Sequence, residues 1–172
     1  MMRCKERTRG IPYNEEDYTK RLKCKKDEIA LTEGELTPKT RILIGDLNAR
    51  SLEEMPENLL IIGGNLSFWS EQFTPFGITS LKNLLRIEGD ADFEDSQITS
   101  LENLRVIRGN AYFGYSQITD LGELRIIRGN ADFRYSQITV PGNLEKIEGF
   151  VYTSPYQKGM VEELNNRGIE LY

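Results

Sequence analysis

The densest group of potentially reactive side chains in this 172-residue sequence is a run of four carboxylates: Asp90, Asp92, Glu94 and Asp95. The first three occupy positions one, three and five of an EF-hand calcium loop. However, Asp95 replaces the glycine at position six and Leu101 replaces the glutamate at position twelve, so the loop cannot be completed. In a strand, alternate carboxylates would project about 6–7 Å apart, a spacing compatible with glycosidase chemistry. An exposed strand offers no desolvated cleft to separate their pKa values, so we interpret the run as a solvated face.

Other catalytic chemistry is restricted by composition. Histidine is absent, which excludes Ser-His and Cys-His catalysis and histidine-ligated metal sites. No glycine-rich phosphate-binding motif is present. The sequence therefore predicts a protein that is not an enzyme, with no cofactor and no metal.

The two cysteines, Cys4 and Cys24, lie in a basic N-terminal part. No apolar run of the kind found in signal peptides follows the first residues, and no stretch is long enough to span a membrane. Two cysteines could form a bridge, but the absence of an export signal favours free thiols and a cytoplasmic location. Cys24 lies among several lysines that can lower a thiol pKa, but we interpret it as incidental.

The elements that position the acidic run come from an internal repeat. Four consecutive 20-residue units, here called coils, begin at Ile78, Ile98, Ile118 and Ile138, the last of them diverging in sequence. Residues 57–77 carry the same pattern with five extra residues, and we interpret 42–56 as a degenerate first coil. The sequence thus predicts five or six stacked coils.

Within one coil the apolar spacing changes from three to two around Gly109. Spacing of two across Ala111 and Phe113 predicts a short strand, whereas spacing of three from Ile98 to Ile107 predicts a chain that turns around the far side of the coil. Stacking makes a continuous core and a parallel sheet. We expect a mainly β, right-handed solenoid over 42–157 with short parallel strands near 65–69, 90–94, 110–114, 130–134 and 150–153.

Three columns repeat with the coils and are interpreted as structural. The glycine at 89, 109, 129 and 149 is expected to supply a bend or to let neighbouring backbones approach closely. The serine column at 96, 116 and 136 and the glutamine column at 97, 117, 137 and 157 are expected to bond the turns.

The pattern A-x-F-x-x-S-x-I-x-x-L-x-x-L at 111–124 resembles a short, bacterial-type leucine-rich repeat, with Ser116 at a position where that family commonly has asparagine. The phrase NLRVIRG is also similar to repeats of receptor L domains. The resemblance covers about 57–157 and departs from the family where alanine and phenylalanine replace leucine in the strand. It implies a leucine-rich-repeat-like solenoid that serves as a binding scaffold, without indicating a ligand.

The two ends are predicted to be caps of the repeat region. Residues 1–41 contain 11 Lys and Arg against 8 Asp and Glu, whereas 42–172 contain 11 against 19. A short helix is expected within 14–28, and another over about 157–166, stopped by Gly168, in a C-terminal cap at 158–172. Such caps cover the open edges of a solenoid.

The candidate binding surface is the outward face of the predicted strands, where aromatic residues and carboxylates alternate. Such a mixture is typical of protein-binding surfaces, and its complement is a basic protein segment. The alternative is that Tyr115 and Tyr135 only stack on one another along the column. The predicted partner-binding residues are Trp69, Asp90, Asp92, Glu94, Tyr112, Tyr115, Asp132, Arg134 and Tyr135.

A second surface is a basic patch that recurs on adjacent coils. Its residues are Arg105, Arg108, Arg125 and Arg128. They are either paired with nearby glutamates or available to a phosphate or an acidic partner.

These observations favour a protein–protein interaction module that binds a macromolecular partner through the outward sheet face. One alternative is an acidic inhibitor that mimics nucleic acid and blocks a DNA- or RNA-processing protein. Another is direct binding of nucleic acid through Lys20 to Lys26 and the arginines. A membrane partner is not expected, and the oligomeric state is left open.

Overall fold

The computed structural model describes residues 24–68 and 77–169. The chain forms a parallel β-solenoid, as the repeat predicts, and most coils contain two short strands where the sequence predicts one. The first sheet has seven strands and the second has six, and neighbouring strands in each sheet come from successive coils. Strands of the first sheet are β1 Ile29–Ala30, β2 Ile42–Leu43, β4 Ile61–Ile62, β6 Arg86–Ile87, β8 Val106–Ile107, β10 Ile126–Ile127 and β12 Lys146–Ile147. Strands of the second sheet are β3 Leu47–Asn48, β5 Leu66–Ser67, β7 Ala91–Asp92, β9 Ala111–Tyr112, β11 Ala131–Asp132 and β13 Val151–Tyr152.

The second sheet lies where the sequence predicts strands, although each strand has only two residues. Ala111 and Phe113 point into the core and are fully buried, so the spacing of two was interpreted correctly. Phe113 stacks between Phe93 and Phe133, with ring centroids 5.4 and 5.1 Å apart. This stacked column of aromatic rings occupies the core behind the second sheet.

The first sheet corrects the prediction for the part of each coil in which apolar residues are spaced by three, such as Ile98 to Ile107. That stretch does not only turn the chain around the coil, because it includes strands such as β8, which pairs in parallel with β6 and β10. In β8 only Ile107 is buried, while Val106 is half-buried on the outside. A two-residue strand supplies one inward residue per coil, so the alternation is too short to appear in the sequence.

The corner between the two sheets depends on glycine. A Cβ on Gly129 would lie 2.5 Å from the carbonyl carbon of Gly109 in the preceding coil. This confirms that the glycine column allows close approach of neighbouring backbones.

A ladder of aspartate and asparagine side chains, which the sequence analysis missed, runs along the same corner. Each side chain accepts a hydrogen bond at 2.6–2.8 Å from a backbone N–H of the next coil. The ladder ends at Phe150, whose N–H donates to the last member. Its members are Asp46, Asn65, Asp90, Asn110 and Asn130.

The predicted serine and glutamine columns bond the turns at several members, but not at Ser96, whose buried Oγ has no hydrogen-bond partner among the described residues. Ser116 Oγ donates to the Phe113 carbonyl oxygen at 2.9 Å, and the Gln137 amide lies 3.5 Å from that of Gln117. Gln157 is buried at the end of its column and donates to the carbonyl oxygens of Phe133 and Ile138. It therefore satisfies backbone groups of the last coils.

The helix predicted over about 157–166 is confirmed as α1, at Lys158–Asn166. It is followed by Gly168 in the left-handed conformation at φ +74°. Met160 and Leu164 of α1 are buried in the core. Arg167 donates to two backbone carbonyl oxygens of the preceding coil at 2.9 Å each, so the cap covers the end of the stack.

At the other end the stack begins earlier than predicted. The first sheet already includes Ile29–Ala30, inside the segment assigned to the N-terminal cap. A short helix is expected within 14–28. The described part of this segment, 24–28, contains a 3-10 turn at Lys26–Glu28, and 14–23 lie outside the described residues.

Cys24 is buried and disulfide-bonded, so the expectation of free thiols was wrong for this residue. The only other cysteine of the sequence, Cys4, lies outside the described residues. Stable disulfides are typical of oxidising compartments. The disulfide therefore removes the support that free thiols would give to a cytoplasmic location.

Candidate interaction face of the second sheet

The second sheet places the predicted binding residues in parallel columns. Asp92, Tyr112, Asp132 and Tyr152 face outward in register on successive strands. A neighbouring column contains Glu94 and Arg134, and the next contains the two exposed tyrosines. Trp69, which was predicted to join this face, lies outside the described residues.

Asp90 has a different environment from the other predicted residues. Its carboxylate accepts the backbone N–H of Asn110 at 2.6 Å as part of the corner ladder. The structure therefore gives Asp90 a structural hydrogen bond at the edge of the face.

The coil that contains Asp92, Glu94 and Asp95 carries three carboxylates close together. No lysine or arginine makes an ion pair with any of these three carboxylates among the residues that the structure describes. Partial burial raises the pKa of Asp92, and the negative charge of Asp95 adds to the effect. Burial, followed by repulsion from Asp92, Asp132 and Asp95, also raises the pKa of Glu94, and the positive charge of Arg134 opposes this rise only in part. A cationic group placed here would favour the ionised carboxylates and oppose their mutual repulsion.

Tyr112 lies between two carboxylates of its own column. It is half-buried, and its register partners on the flanking strands are Asp92 and Asp132. Burial and the charge of Asp90 raise the pKa of the Tyr112 hydroxyl, so that it is uncharged at neutral pH. The ring therefore adds an aromatic surface to an acidic environment.

Asp132 differs from Asp92 because it already holds a cation. Arg134 Nε donates to the two Asp132 oxygens at 3.0 and 3.2 Å, and Nη2 donates to Oδ2 at 2.5 Å. The Arg134 Cζ atom also lies 5.2 Å from the ring centroid of Tyr152. The guanidinium thus combines an ion pair with a cation–π contact.

Tyr115 and Tyr135 stack on each other, with ring centroids 5.3 Å apart and planes 2° from parallel. The stack was the structural alternative considered for these residues, yet they remain 60% and 66% exposed. Both have positive φ, 54° and 59°. A left-handed backbone costs a non-glycine residue about 1–2 kcal/mol, which stacking worth about 0.5–1.5 kcal/mol can offset.

The coil between Glu94 and Arg134 has a buried glycine, Gly114, at the equivalent position. A Cβ placed on Gly114 would lie only 3.0 Å from Glu94 Oε1. Glycine therefore leaves room for the Glu94 carboxylate to lie over the neighbouring coil.

The arginine patch lies along the first sheet and is largely paired. Arg108 binds the buried Glu88 at 2.9 Å, where Arg86 also binds. Arg125 binds Glu145 at 2.7 Å. Arg105 also has an interaction partner, and the Arg128 side chain is exposed.

Comparison with known proteins finds no family model, no curated protein and no solved structure that matches the chain. Within 24–68 and 77–169, no helix has the length and apolar character needed to cross a membrane.

Proposed function

We propose that the protein is a non-enzymatic interaction module that binds a basic protein segment through the outward face of its second sheet. The observation that carries this proposal is the coil of Asp92, Glu94 and Asp95, whose carboxylates have no ion-pair partner within the described ranges. Beside it stands the exposed stack of Tyr115 and Tyr135. Unpaired carboxylates next to rigid aromatic side chains favour a partner that carries cations and apolar surface.

The arrangement of charge favours this function over the two alternatives. A mimic of nucleic acid needs negative charges at regular intervals, but here Asp132 is neutralised by Arg134 and the acidic side chains concentrate in one coil. Direct binding of nucleic acid needs available cations, but Arg108 and Arg125 are already paired with glutamates. We also propose kinship with leucine-rich repeats, supported by the 20-residue period and the buried isoleucine and leucine columns.

The proposal is tested by affinity capture from the native host with a charge-neutralised variant. Glu94→Gln/Asp95→Asn removes two charges and preserves shape, and asparagine tolerates the positive φ of 53° at position 95. The matched control, Glu53→Gln/Glu162→Gln, removes the same charge from exposed positions outside the face.

We expect quantitative mass spectrometry to identify a protein with a basic segment that wild type and control retain. The face variant should retain at least fivefold less of it, and retention should fall as salt rises. Equal recovery by all three proteins would contradict the proposal.

A further inference from the structure

The second sheet contains the same pair of side chains twice. Asp132 lies directly opposite Tyr152 on the next strand, and Asp92 lies directly opposite Tyr112. We call each pair an Asp–Tyr step. The local backbone also matches, because each aspartate Oδ1 accepts the N–H of the residue two positions later at 3.0 Å.

The Asp132–Tyr152 step shows which group this arrangement binds. Its cation is the guanidinium of Arg134, which forms hydrogen bonds to both oxygens of Asp132 and lies near the Tyr152 ring. Arginine suits such a place because its planar group can bond a carboxylate with two N–H groups and also stack on an aromatic face.

The Asp92–Tyr112 step lacks this internal cation. The position equivalent to Arg134 is Glu94, which adds a second carboxylate where the other step has its guanidinium. Its carboxylate lies over the neighbouring coil at Gly114, where a Cβ would come within 3.0 Å of Glu94 Oε1. The step thus retains the aspartate and the ring and reverses the charge of the third side chain.

We propose that the Asp92–Tyr112 step binds an arginine side chain of the partner in the manner in which Arg134 occupies the Asp132–Tyr152 step. This inference rests on the proposed function, because the arginine that binds belongs to the basic protein segment proposed there. Asp92 and Glu94 supply carboxylate oxygens, and Tyr112 supplies the ring. Lysine binds less well because its ammonium cannot form the planar two-bond contact.

The test is an NMR titration of the full chain with N-acetyl-arginine amide, using N-acetyl-lysine amide for comparison. For wild type we expect saturable shifts at Asp92, Glu94 and the Tyr112 ring, with affinity at least threefold higher for the arginine probe. Glu94→Arg should fill the step internally and abolish these shifts. Arg134→Ala should open the second step and add saturable shifts at Tyr152.

The dispersion of the amide spectrum shows whether each variant is folded. Two results would overturn the inference: a folded wild type without saturable shifts at Tyr112, or arginine binding that the folded Glu94→Arg variant leaves unchanged. The proposed function fails separately. If the capture experiment recovers a partner through this face but the arginine titration is negative, only the arginine site is wrong. If arginine binds but no partner is captured, only the interaction function is wrong.

Discussion

Replacing Asn110 with alanine removes one member of the corner ladder and should destabilise the solenoid. The Asn110 side chain accepts the backbone N–H of Asn130 at 2.8 Å, at a position that is only partly exposed. Leaving a buried donor without its acceptor costs about 1–3 kcal/mol. Because this corner is partly exposed, we expect about 1–2 kcal/mol, which lowers Tm by roughly 3–6 °C in a protein of this size.

The assay is urea unfolding followed by circular dichroism, with Asn110→Asp as the matched control. Aspartate occupies the equivalent positions 46 and 90 and accepts the same hydrogen bond there. Asn110→Asp should therefore lose less stability than Asn110→Ala. An alanine variant as stable as wild type, or an aspartate variant as unstable as the alanine variant, would refute the role given to the ladder.

Three further perturbations have defined outcomes. Gly109→Ala places a Cβ 2.2 Å from a carboxylate oxygen of the preceding coil and should lower the free energy of unfolding, measured with urea, by more than about 1 kcal/mol. Gly159→Ala, at an open helical position, should raise the free energy of unfolding by about 0.5–1 kcal/mol. The pKa values of Asp92 and Glu94 are raised from their ordinary values of 3.8 and 4.5, so the protonated carboxyls stabilise the fold below those pH values, and this stabilisation is lost as pH rises through the raised pKa values. Asp92→Asn should flatten that part of a plot of Tm against pH. An unchanged plot would contradict the raised pKa of Asp92. A reductant should lower Tm, because breaking the disulfide removes about 2–5 kcal/mol of the free energy of unfolding. It should have no such effect on the Cys24→Ser variant. Equal Tm values of the wild type with and without reductant would show that the disulfide does not stabilise the fold.

The sequence predicted the second sheet because its alternation extends across Ala111 and Phe113. It did not predict the first sheet, since Ile107 is the single inward residue of its strand and its spacing from Leu104 is also three. The same limitation explains the missed ladder. Position 110 alternates between aspartate and asparagine in other coils, so it appears in the sequence as a solvated position.

The sequence predicted which residues form the candidate site, but it did not predict which of their side chains pair with one another. The columns of Asp92, Tyr112 and Asp132 follow from the 20-residue period. The sequence did not show that Arg134 turns back onto Asp132, because that choice depends on side-chain conformation and on the nearby Tyr152 ring. Only the three-dimensional arrangement distinguishes the filled step from the open one.

The most direct test of the central claim is chemical-shift mapping on isotope-labelled protein with the partner recovered by affinity capture. We predict that the perturbed amides lie at 92–95, 112–115 and 132–135 on the second-sheet face. Perturbations confined to the arginines of the first sheet, with this face unchanged, would contradict the claim.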